Sequence, residues 1–110
     1  MSGAVVQIRP KIGFAYEQLT VTAGVQVLTP SKYAVTAGNP GYEAAASAFL
    51  TLNGGDIRYT YDGTTPTSST GHVLRDGGTL TLVGQNQMGT FKCIQTGSTS
   101  SEISVTYERE

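Results

Sequence analysis

The stretch Ile57-Arg58-Tyr59-Thr60-Tyr61-Asp62-Gly63-Thr64-Thr65-Pro66-Thr67 reads as a strand that runs straight into a tight turn. Ile57, Tyr59 and Tyr61 alternate with Arg58, Thr60 and Asp62, the period-2 pattern of a half-buried β-strand, and this predicts a core face of Ile57, Tyr59 and Tyr61. Asp62-Gly63 tolerates the backbone angles of a turn, and Pro66 has no N–H with which to continue a ladder.

The same punctuation recurs outward in both directions. On the N-terminal side, Asn53-Gly54-Gly55-Asp56 carries a strong hairpin signal, which predicts that the strand before it pairs with the opening one. That earlier strand covers about residues 46–52. The alanines of Glu43-Ala44-Ala45-Ala46-Ser47-Ala48 favour helix, but the run is short, and Leu50 and Leu52 continue the parity of Ala46 and Ala48, so strand is preferred. Leu19 and Val21, then Val25 and Val27, predict a hairpin or bulged strand around Ala23-Gly24. Ser31-Lys32-Tyr33 suits a single helical turn, and residues 36–42 have loop chemistry.

On the C-terminal side, residues 64–71 form a hydroxyl-rich loop, His72-Val73-Leu74 a short strand and Asp76-Gly77-Gly78 a turn. Leu80 and Leu82 alternate with threonines, and residues 84–89 read as a crossover. Phe91 and Cys93 share one face of a further strand. Ile103, Val105 and Tyr107 alternate with Glu102, Ser104 and Thr106 in a closing strand. Seven to eight short strands at about ten-residue spacing, with no helix long enough to cover a sheet, predict an all-β protein. Its architecture is an antiparallel β-sandwich with immunoglobulin-like or Greek-key links.

Before this domain, assigned to residues 17–110, residues 1–16 read either as a frayed tail with a weak first strand or as an arm that docks on another subunit. Val6, Ile8, Arg9, Ile12, Phe14 and Tyr16 are its candidate interface residues, because so many large apolar side chains are unusual in a free tail. The N-terminus lacks the basic head and apolar run of a signal peptide, no run is long and apolar enough for a membrane helix, and Cys93 has no partner for an intrachain disulfide. These features predict a soluble protein made in a cytoplasm, with no export signal of its own. A net charge of −1 with 14% charged residues lacks the basic footprint that holds a phosphate backbone.

Catalytic readings are thin. His72 is the sole histidine, and Cys93, in phase with Phe91, faces the core, where a thiol is inert. One His and one Cys cannot make a zinc site, and Asp56, Asp62 and Asp76 sit where side chains bond turn amides. No enzyme, metal or cofactor is expected. Of the six tyrosines, Tyr33 and Tyr42 fall in loops and are candidates for stacking on a glycan, whereas Tyr59, Tyr61 and Tyr107 are in phase with apolar neighbours.

Over residues 17–109 the chain resembles a family of small tailed-bacteriophage virion proteins encoded among head and tail genes. The resemblance is carried by Arg58-Tyr59, Asp62-Gly63-Thr64, Pro66-Thr67, Gly71-His72, Leu74, Leu80 and Leu82. It continues through Phe91-Lys92-x-Ile94-x-Thr96-Gly97 and Val105-Thr106-Tyr107-Glu108-Arg109. The Asp62-to-Thr67 turn, with the strand before it, is also similar to the immunoglobulin-like C-terminal domain of chitobiases. The first resemblance implies a virion structural protein without catalytic residues, and capsid decoration or cementing is its preferred role. The partners would be the major capsid protein and copies of the chain itself, in a trimer or other homo-oligomer. The alternative is a carbohydrate-binding or adhesion module on the virion exterior.

Overall fold

The computed structural model describes residues 11–34 and 44–109; Val6, Ile8, Arg9 and Tyr42 therefore lie outside the described residues. Ten elements follow in order: β1 (Ile12–Val21), β2 (Gln26–Val27), α1 (Pro30–Tyr33), β3 (Ser47–Asn53), β4 (Ile57–Thr60), β5 (His72–Leu74), β6 (Thr79–Val83), α2 (Gly84–Thr90), β7 (Lys92–Gln95) and β8 (Ser101–Arg109). They build two antiparallel four-stranded sheets, ordered β1-β8-β3-β6 and β2-β7-β4-β5. The all-β sandwich predicted from the strand pattern is the fold.

The core is written in the parity of the longer strands. In β8, Ile103, Val105 and Tyr107 are fully buried, and in β3 Ala48, Leu50 and Leu52 face the same layer. From the second sheet come Ile57, Leu74, Phe91 and Cys93. Removing each large apolar side chain from water contributes about 1.5–3 kcal/mol. β8 pairs with both β1 and β3 and is the central brace of its sheet.

Pairing departs from the sequence expectation in three places. The Asn53-Gly54-Gly55-Asp56 segment does not make a hairpin: both edges of β3 are taken by β6 and β8, and β4 joins the other sheet between β5 and β7. A type I′ hairpin needs positive φ at both central residues, and of this pair Gly54 alone has it, at 106°. The segment is an arch that carries the chain from one sheet to the other. The turn at Ala23-Gly24 does the same, since β2 pairs with β7 and not with β1. Of the strands consecutive in sequence, only β4 and β5 pair with each other.

Residues 84–89 do cross over, from β6 in one sheet to β7 in the other, and they do so as the body of α2. Two glycines conceal it in the sequence. It forms because Met88 is buried, because Gln87 Oε1 accepts the Val83 N–H at 2.7 Å at the helix start, and because Gln85 is anchored from its first turn. Gln85 Nε2 donates to the carbonyls of Tyr33 (2.9 Å) and Ala45 (2.7 Å), which fastens α2 to the end of α1 and the start of β3.

Candidate functional site

Two surfaces carry exposed aromatic side chains at defined positions. The first belongs to β1. Residues 12–16, read from sequence as the end of a separate arm, form the first half of this strand, with Ile12 opposite Arg109 and Tyr16 opposite Thr106. A register shift between Gly13 and Ala15 breaks the simple alternation of Ile12, Phe14 and Tyr16. Phe14 is half-buried and packs against the core, while Ile12 and Tyr16 stay 47% and 55% exposed. The bulge sits beside Gly13, where a Cβ would approach Thr106 Cγ2 to 3.0 Å.

Tyr16 opens a row across the outer face of its sheet. In register, Tyr16 of β1 is followed by Thr106 of β8, Phe49 of β3 and Thr81 of β6. Phe49 is 41% exposed, and the Tyr16 hydroxyl lies 3.2 Å from Ser104 Oγ. The opposite face of β1 is tied inward. Glu17 accepts the Thr29 N–H (3.2 Å), the Thr29 hydroxyl (2.6 Å) and the hydroxyl of buried Tyr107. Glu17 is the one charged side chain within β1, and it is spent on this interior network.

The second surface lies where β4 leaves the sandwich. Ile57, Tyr59 and Tyr61 share parity as predicted, but burial falls along them: Ile57 is fully buried, Tyr59 is partly buried against the core, and Tyr61 is 43% exposed. Thr60, read as outward, is buried instead because its hydroxyl turns back to the Thr64 carbonyl. The predicted core face is thus correct at Ile57 and ends at Tyr59. β4 ends at Thr60, so Tyr61 stands past the last ladder pair and stays open to solvent.

His72 stands opposite Tyr59 across the β4–β5 ladder. The rings of Tyr59, Tyr61 and His72 form a triangle with centroid distances of 5.4, 5.9 and 6.4 Å and planes within 40° of one another. Tyr59 rests in turn on buried Phe91, with centroids 6.0 Å apart. Beside the rings is an open cleft of about 500 Å³ lined by Thr60, Tyr61, Asp62, Thr64, Gly71 and His72. Gly71, at φ 124°, brings the backbone close: a Cβ there would meet the Tyr59 carbonyl oxygen at 3.1 Å and Pro66 Cβ at 3.4 Å. Asp62 Oδ1 accepts the Thr64 N–H at 2.9 Å, and hydrogen bonds from Thr64 hold its carboxyl below the usual aspartate range.

No protein-family model, curated protein or solved structure matches the chain.

The residues considered for catalysis are kept apart. Cys93 and His72 flank Tyr59 on the two neighbouring strands, β7 and β5, which puts their backbones about 10 Å apart at ordinary strand spacing. Burial pushes the Cys93 thiol up to about 12. Asp56 and Asp76 serve turns: Asp56 accepts the Asp76 N–H (2.9 Å) and Arg75 Nη1 (3.0 Å), and Asp76 accepts the Gly54 N–H (3.0 Å). Hydrogen bonds from Asp76 and Arg75 hold the Asp56 carboxyl below its ordinary value. Among the described residues, no group of three or more His, Cys, Asp or Glu side chains is placed to hold a metal ion.

Tyr33, predicted to be a loop tyrosine open to a glycan, is corrected: it is 8% exposed and packs on Tyr107 with centroids 5.9 Å apart. Its position at the end of α1 turns the ring into the core, where it is no platform for a ligand. The surface aromatic site is built instead by Tyr61 and His72. The one sequence signal for it is position, since Tyr61 is the last in-phase residue before a turn and a loop that supplies no apolar cover.

Proposed function

We propose that this chain is a structural protein of a tailed-bacteriophage virion that decorates or cements the capsid, binding the lattice of the major capsid protein together with copies of itself. The observation that carries this reading is the character of β1. It is a ten-residue strand at the edge of its sheet, and among the described residues only β8 pairs with it. Edge strands are ordinarily short, or protected by charge or proline. β1 has no proline and no outward charge, since Glu17 points inward, and its one register shift, between Gly13 and Ala15, leaves the pairing of residues 16–21 regular. A long uncharged edge beside the Tyr16–Phe49 row suits a subunit that meets neighbours side by side. Repeated over a lattice, weak contacts of this kind add through avidity.

The resemblance of residues 17–109 to small virion proteins points the same way. The test is co-sedimentation with capsids that lack the protein, from the phage that carries its gene. The full chain is expected to bind at a copy number that scales with the lattice. Ile12→Lys and Tyr16→Lys, both at exposed positions, are expected to lose binding while circular dichroism shows an unchanged sandwich. Equal binding by both variants would refute the role of the edge, and no binding by the full chain would refute the role on the capsid.

A further inference from the structure

We propose that the cleft beside Tyr61 and His72 is a saccharide-binding site, with the two exposed rings stacking on the C–H face of a neutral sugar and Asp62 accepting its hydroxyls. This site shares no residue with the β1 edge, and it stands or falls independently of a role on the capsid.

The ring geometry narrows the ligand class. Tyr61 stacks on both Tyr59 and His72, and Tyr59 is tilted 40° to His72, a mosaic of rings in mutual contact that leaves no gap between them for a caged cation. A mosaic suits a flat, weakly apolar surface, which is what one face of a pyranose offers. The mosaic is also rigid, since Tyr59 anchors it on Phe91 and holds His72 across the ladder. Stacking on rings that are already ordered costs little side-chain entropy.

The polar groups fit the same ligand. Asp62 lines the cleft as an acceptor-only carboxylate at neutral pH, with Oδ1 accepting the Thr64 N–H and lone pairs beyond that bond for a ligand hydroxyl. The lining of the cleft carries one carboxylate, Asp62, and no Lys or Arg. That arrangement argues against a phosphate or other anion and for an uncharged polyol. A cleft of about 500 Å³ lies within the ~300–1,000 Å³ of ordinary small-ligand sites. Its open shape covers one side of a ligand only, so the expected affinity is millimolar, about −4 kcal/mol, and useful through repetition on a multivalent particle.

The experiment is a two-dimensional NMR titration of the full chain with cellotriose, galactobiose and tri-N-acetylglucosamine, with tetramethylammonium and inorganic phosphate as separate probes. At least one saccharide is expected to shift the signals of Tyr61, Asp62, Gly71 and His72 and to show saturation transfer at its ring C–H protons. Tyr61→Ala is expected to weaken binding about tenfold or more and Tyr61→Phe less than about threefold, as stacking predicts. No shift with any of the three saccharides up to about 10 mM, the weak end of useful affinity, would overturn the proposal. So would shifts confined to tetramethylammonium or phosphate, or saccharide binding that survives Tyr61→Ala unchanged. Because Tyr61 is exposed, an unfolded variant is not expected; its amide spectrum shows the fold directly.

Discussion

Glu17 shows how much one side chain can decide. It is the acceptor for the buried Tyr107 hydroxyl and for both the N–H and hydroxyl of Thr29, so it joins β1, β8 and the entry to α1. Removing it leaves Tyr107 with a buried donor and the Thr29 N–H without its carboxylate. Bonds to a charged group contribute about 1.5–3 kcal/mol each when intact, and Glu17 is half-buried, which discounts that figure. Glu17→Ala is expected to destabilise the fold by about 2–4 kcal/mol in urea unfolding, with Tyr107→Phe costing less. A loss below about 0.5 kcal/mol would show that water replaces the carboxylate without penalty.

At the scale of elements, strands were legible and their partners were not. Parity identified β3, β4, β6, β7 and β8 because each has one face in the core, and a period of two survives whatever the neighbour is. Pairing depends on which ladder edges are free, and that is a property of the whole sheet. The segment from Asn53 to Asp56 carries hairpin residues yet arches between sheets, because β3 is already flanked on both sides. Helix α2 was hidden for a related reason: burial of Met88 and the bonds of Gln85 to carbonyls distant in sequence hold it, and helix propensity shows neither. Gln85→Ala is expected to cost about 1–3 kcal/mol, since it strips the donor from two carbonyls at once. Hydrogen exchange should show the loss concentrated in α2, α1 and the start of β3; protection unchanged there would refute the clamp. The aromatic cleft was missed because Tyr61 has the parity of a core residue, and only the end of β4 at Thr60, set by its pairing, leaves it exposed.

Over the whole molecule, tyrosine burial sets the response to alkali. Burial raises Tyr107 most, aided by Glu17, and burial also raises Tyr33 and Tyr59. In each the neutral phenol is favoured in the folded state, while the unfolded chain releases these protons at about pH 10. Above that pH the unfolded state binds fewer protons, so stability falls as pH rises; below it the contribution is fully present. The midpoint of thermal unfolding is expected to be level from pH 7 to about 8, to begin falling at about 8.5 as the unfolded Cys93 thiol ionises, and to drop further beyond about 10. Absorbance at 295 nm should show a fraction of the tyrosine titrating only with the unfolding transition. A complete titration of all phenols in the folded protein would contradict this. Folding itself should be slow for a chain of this size, in the millisecond-to-second range, because β1 waits for β8 at the other end of the chain.

That long-range pairing has a mechanical consequence. Ile12 and Arg109 are direct cross-strand partners, so tension applied between the two ends of the sandwich pulls the β1–β8 ladder open from its tip. Its pairs then separate in succession, as a zipper does, without the shared resistance of a sheared sheet. A subunit built this way can be peeled by its ends at low force. A load that enters through the faces and edges of the sandwich meets the whole sheet instead.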